Sequence, residues 1–146
     1  MNHKKKVIIS WVLLLSWMAF IFYMSHQTGA VSSSQSGRIV GLLYSLGIVI
    51  PQEKISLLTF IIRKAAHISE YFILYILLYN VLKNYMYSKK IIIYSIIGVV
   101  LYAASDELHQ YFIPGRSAEI KDVFIDSCGG IVASILNNLF YKYKKR

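Results

Sequence analysis

Seven acidic residues, grouped with a handful of cations, carry most of the chemistry this chain can do. In the run Arg63-Lys64-Ala65-Ala66-His67-Ile68-Ser69-Glu70-Tyr71, the positions Arg63, His67, Glu70 and Tyr71 fall at i, i+4, i+7 and i+8. On a helix these share one face, and Lys64 lies one position off it. A second block reads Ser105-Asp106-Glu107-Leu108-His109-Gln110-Tyr111-Phe112-Ile113-Pro114-Gly115-Arg116. It places Asp106, Glu107 and Gln110 at a helix end. Pro114-Gly115 stops that helix and leaves Arg116 at the turn. Asp122 and Asp126 follow, one helical turn apart.

These residue types allow several chemistries. Arg116 can pair with Asp106, Asp122 or Asp126, or its planar fork can hold a phosphate or carboxylate. His67 and Glu70 can form a satisfied interhelical network, or a buried acid–base pair with Asp106 as an alternative base. Imidazole and carboxylates are also metal ligands, but no spacing here is a metal signature, so neither metal nor cofactor is expected. The catalytic candidates are His67, Glu70 and Asp106. The binding candidates are Arg63, His67, Glu70, Asp106, Glu107, Gln110, Arg116, Asp122 and Asp126. Gln110 reads as satisfying groups at the helix end. Tyr71, Tyr111 and Phe112 read as interface aromatics, and His26 and His109 as exposed loop residues.

The elements that must position these groups are apolar. The chain is 56% hydrophobic and 16% charged, whereas soluble domains carry about 25% charged residues. Four runs approach the roughly 20 residues that a membrane span needs, at 7–24, 61–82, 91–107 and 123–141. The second and fourth fit only if His67, Glu70 and Asp126 face the protein interior. The third can continue through Glu107 towards Phe112. Four buried helices of a soluble protein are the alternative, and four such runs in so short a chain weigh against it. The first run could also be a secretory signal, with Lys4-Lys5-Lys6 ahead of it and Thr28-Gly29-Ala30 behind. Its apolar core exceeds the usual length of about 7–15 residues, so an uncleaved span is expected. Cys128 has no partner for an internal disulfide and reads as a small packing residue.

Basic residues in short loops set orientation. With the N-terminus in the cytoplasm, that side carries Lys4, Lys5, Lys6, Lys83, Lys89, Lys90, Lys142, Lys144, Lys145 and Arg146, and no acid. The other side carries six cations and all seven acids, so +10 against −1 recovers the net +9. The basic ends suit anionic lipid. No aromatic–basic platform accompanies them, which argues against nucleic acid. The outer segment opens with serines that read as turns and caps, followed by a short interfacial helix over Arg38 to Ile50. Pro51 then starts a new helix that continues into the second span. Past Asp126, Gly129-x-x-x-Ala133 and Gly130-x-x-x-Ser134 permit close helix approach. The predicted fold is an all-α membrane protein of one domain over 1–146. It has four spanning helices, an outer interfacial helix and both termini cytoplasmic. Three helices bring polar groups to one outer pocket.

The chain resembles the VanZ-like membrane proteins. The resemblance rests on His67-x-x-Glu70-Tyr71 and on Asp106-Glu107-x-x-Gln110-x-Phe112-x-Pro114-Gly115-Arg116, with Asp122, Asp126 and Gly129 or Gly130 after it. Phe22-x-x-Ser25-x-Gln27 is similar to the pattern that follows the family's first helix. Asp126 stands where many relatives have Asn, and His26 where relatives often have a second serine. The resemblance implies a multi-pass protein of the bacterial cytoplasmic membrane, with founding members linked to teicoplanin resistance. Two functions follow as expectations. One is a non-enzymatic envelope factor whose outer pocket binds a lipid headgroup, a cell-wall precursor group or a partner. The other is a small intramembrane enzyme acting on a phosphorylated or lipid-linked envelope substrate. A transporter is the weaker reading, because four helices leave little room for alternating access. Membrane lipids are expected partners, and the oligomeric state is left open.

Overall fold

A computed structural model describes residues 2–87 and 90–144. Lys89, Lys145 and Arg146, read above as part of the basic side, lie outside the described residues, as do Met1 and Ser88. Five α-helices run in order: α1 His3–Ser25, α2 Gly29–Ser45, α3 Ile55–Leu82, α4 Lys90–Gln110 and α5 Ile120–Lys144. A single 3₁₀ turn, Gln52–Lys54, leads into α3. There is no strand among the described residues. Helices α1, α3, α4 and α5 are each long and apolar enough to cross a membrane.

Local signals account for the boundaries. Asn2 caps α1 by accepting from the Lys4 amide at 3.3 Å. Thr28 caps α2 by accepting from the Val31 amide at 3.4 Å. Pro51 sets the chain entering the 3₁₀ turn, and Glu53 lies near its positive end. At 28 residues, α3 is about 42 Å long, well over the roughly 30 Å of hydrocarbon it needs to cross. Helix α4 ends at Gln110 rather than reaching Phe112.

Solvent exposure is inverted relative to a soluble bundle. Ile8, Leu13, Leu101, Phe124, Leu136 and Leu139 are all exposed, whereas Ser95, Asp106, Glu107, Gln110 and Asp126 are buried. That is the arrangement expected when hydrocarbon is the solvent. Helix α3 is the hub and packs against each of the other four helices. The shared core joins Leu14 and Ile21 of α1, Tyr71, Leu74 and Tyr75 of α3, Val99 and Ala103 of α4, and Ala133 of α5. The small residues of α5 are spent inside the chain. A Cβ on Gly129 would overlap the Ile68 carbonyl oxygen of α3, and one on Gly130 would press on Val99 of α4. Helix α5 is therefore wedged between α3 and α4.

Several sequence readings change. The serine run is helical, so α2 begins at Gly29 and stops at Ser45, instead of occupying 38–50. Ser32, Ser36 and Val40, at i, i+4 and i+8, form its buried face, and Ser36 satisfies its hydroxyl on the Ser32 carbonyl at 3.2 Å. Docking on α3 overrides the weak helix propensity of serine. Tyr71 is fully buried rather than at an interface. Cys128 is exposed, because the buried face of α5 is taken by Asp126, Gly129, Gly130 and Ala133.

Candidate functional site

Two corners of the chain meet at the acidic end of the bundle. The Gly29 amide donates to the Pro114 carbonyl at 3.2 Å. Gly115 adopts φ 74°, a left-handed conformation suited to glycine, and a side chain at position 29 would overlap its carbonyl oxygen. This close approach delivers Arg116 beneath the end of α1. Its Nε donates to the Gln27 carbonyl at 3.0 Å and its Nη2 to the Met24 carbonyl at 3.1 Å. Its Nη1 donates to Gln110 Oε1 at 3.2 Å. The cation thus sits on the negative end of the α1 dipole.

Every one of these partners is a neutral oxygen. Among the described residues Arg116 forms no ion pair, contrary to the expected pairing with Asp106, Asp122 or Asp126. The carboxylate nearest in the network is one step removed, since Gln110 Nε2 donates to Asp106 Oδ2 at 3.0 Å. Burial, and next the positive charge of Arg63, lower the Arg116 pKa below its ordinary value. The guanidinium stays charged, and part of its fork is unused.

Arg116 forms one wall of a cavity of about 240 Å³. Helix α3 contributes Arg63, His67 and Glu70, and helix α2 contributes Ser32, Gln35 and Ser36. Behind this wall, His67 Nδ1 stands 3.6 Å from Asp126 Oδ1 and 3.9 Å from Glu70 Oε2. Both separations exceed a hydrogen bond, and His67 Nδ1 is buried with no partner. Asp126 is only 2% exposed, and it and Glu70 approach the same ring nitrogen of His67, which lines the cavity together with Glu70.

The remaining candidates do other work. Lys64 Nζ pairs with Asp122 at 2.5 Å, tying α3 to the start of α5. Glu107 Oε1 accepts from the Glu119 amide at 2.7 Å, holding the chain where α5 begins. The Ser25 and Tyr71 hydroxyls lie against Asp106 without forming a well-aligned hydrogen bond, and Asp106 Oδ1 has no partner. His109 is in the last turn of α4, not a loop, and its ring stacks on His26 with 3.1 Å between Nε2 and Nδ1. No group of three or more His, Cys, Asp or Glu among the described residues is arranged to hold a metal ion.

The sequence reading omitted Ser32, Gln35 and Ser36, whose signal was the i, i+4 spacing of small polar residues running into Val40. It also omitted the Met24 and Gln27 carbonyls. The chain has no match among curated proteins and none among solved structures. Residues 10–141 match the family model VanZ/LLP1. The chain therefore belongs to the VanZ/LLP1 family, as a multi-pass bacterial membrane protein.

Proposed function

We propose that this protein binds the anionic group of a lipid headgroup or lipid-linked cell-wall precursor at the outer membrane face. By doing so it lowers susceptibility to teicoplanin-type lipoglycopeptides. The single observation that carries the binding reading is the Arg116 guanidinium, fixed by three neutral oxygens on the wall of a cavity that it shares with Arg63. A half-buried cation without a carboxylate partner is partly desolvated, and an anionic ligand offsets that cost. The +10 against −1 charge division supports the outer location, since basic loops favour the cytoplasmic side. The link to lipoglycopeptides rests on the family likeness alone.

The test is teicoplanin susceptibility, measured beside vancomycin, in a sensitive Gram-positive host at matched membrane levels of protein. Wild type is expected to protect selectively against teicoplanin, and Arg116→Ala to lose that protection. Equal susceptibility of wild-type and empty-vector cells would remove the resistance reading. Full protection by Arg116→Ala would remove the role of the cation.

His67 and Glu70 side by side on the cavity wall, with Asp126 close to the same imidazole, favour a second reading, an intramembrane enzyme. Glu70 would be the base at the cavity, His67 its proton partner and Arg116 the anion clamp. Turnover of a lipid-linked precursor by purified protein, lost in Glu70→Gln, is required by it. Binding without turnover, with divalent metal or without it, leaves the binding reading standing and ends the enzymatic one.

A further inference from the structure

The opposite end of the bundle holds two adjoining cavities that the outer site does not use. One is a chamber of about 750 Å³ whose walls carry His3, Lys6, Lys83 and Asn84 beside the apolar Ile91 and Ile92. The other is an apolar groove of about 690 Å³ between α3 and α5, walled by Phe72, Ile76, Ala133, Leu136 and Phe140. Asn137 lines both, so the chamber and the groove adjoin at that residue. A compartment bearing cations beside an apolar trough suits an amphiphile.

Charge decides what kind of amphiphile fits. Lys6 comes from α1 and Lys83 from the end of α3, so two cations from separate helices face one chamber. Lys83 Nζ is held by Asn80 Oδ1 at 2.5 Å, which orients it. Asn84 donates its amide to the Asn80 and Val81 carbonyls at 2.8 and 3.1 Å, leaving its oxygen as an acceptor. All seven acids of the chain fall in or beside the outer-site segments, at positions 53, 70, 106, 107, 119, 122 and 126. No carboxylate is therefore available to neutralise the chamber. Two ammonium groups and several neutral amides match a phosphate diester carrying polar substituents. The groove then accepts an acyl chain, and Leu136 and Phe140 are exposed along it.

We propose that this end of the bundle is a binding site for one anionic glycerophospholipid, with its phosphate in the Lys6–Lys83 chamber and an acyl chain in the α3–α5 groove. Native mass spectrometry of the full chain in detergent tests it, with dioleoylphosphatidylglycerol, dioleoylphosphatidylcholine and inorganic phosphate as separate probes. One phosphatidylglycerol is expected to be retained at least about 10-fold more strongly than phosphatidylcholine. The double variant Lys6→Gln/Lys83→Gln is expected to lose that preference. Leu136→Trp, which fills the groove from an exposed position, is expected to weaken retention of the lipid. Equal retention of the two lipids, or undiminished phosphatidylglycerol in both variants, would overturn the proposal. Phosphate retained as well as lipid would reduce the site to an anion chamber and overturn the lipid assignment. Both variants leave the outer site untouched, so their outcome is independent of the teicoplanin experiment.

Discussion

Replacing Gly29 by Ala should break the outer site, although the same substitution is benign elsewhere on the same helix. Ala is favoured over Gly in a helix interior by about 1 kcal/mol. Gly37 and Gly41 have open space where a Cβ would project. Gly37→Ala and Gly41→Ala should therefore leave stability unchanged or raise it by up to about 1 kcal/mol each. At position 29 the Cβ overlaps the Gly115 carbonyl oxygen, which is backbone and cannot swing aside. Forced overpacking costs about 1–3 kcal/mol. The predicted gap between Gly29→Ala and the two controls is thus about 1–4 kcal/mol, the sum of those two effects. Relief of the clash means parting the α1–α2 corner from the 114–116 loop. That parting also stretches the Arg116 bonds to the Met24 and Gln27 carbonyls. Stability in detergent would be read by denaturant titration of all three variants, and teicoplanin protection in cells at matched membrane levels. If Gly29→Ala matched Gly37→Ala in both assays, the close approach would not be what sets Arg116 in place.

Four more predictions can be tested alongside. Gly129→Ala should cost about 1–3 kcal/mol by denaturant titration, because its Cβ meets the Ile68 carbonyl; no loss would contradict the wedged packing of α5. Arg116→Lys should fail to protect against teicoplanin much as Arg116→Ala does, because an ammonium cannot replace a planar fork bonded in three directions; rescue by lysine would mean that charge alone suffices. Reversing one partner of the Lys64–Asp122 pair should lower the thermal midpoint, and the swapped double variant Lys64→Asp/Asp122→Lys should recover most of it. Each side chain there is only about a fifth exposed, so the pair is screened less than one at a free surface; no recovery would deny the contact. In a Cys128→Ser background, an impermeant thiol reagent added outside should label Ser33→Cys but not Ser88→Cys. Labelling of Ser88→Cys would reverse the orientation proposed above.

The spanning helices were legible because uninterrupted apolar runs of that length have few other uses. The shared face of Arg63, His67 and Glu70 was legible from spacing alone, and all three line the same cavity. The depth of Tyr71 was not, since an amphipathic residue next to a charged stripe fits an interface or a core equally well. Helix α2 was misread at its start because serine favours caps and turns in isolation. What makes the run helical is a groove on α3 that only the folded protein contains. The partners of Arg116 were the least legible feature. Two of the three are main-chain carbonyls, and any residue type offers one, so no sequence pattern announces them.

The contact between Gly129 and the Ile68 carbonyl has a consequence for life in bilayers of differing thickness. Helices longer or shorter than the local hydrocarbon tilt to match it. Two backbones in contact can rotate about that point but cannot slide through one another. Ile68 is next to His67 on α3, and Gly129 is one turn from Asp126 on α5. Tilt between these helices therefore pivots at the level of His67 and Asp126, and the displacement grows towards the basic end. As the membrane thickens or thins, the α3–α5 groove beyond that pivot widens or narrows in response.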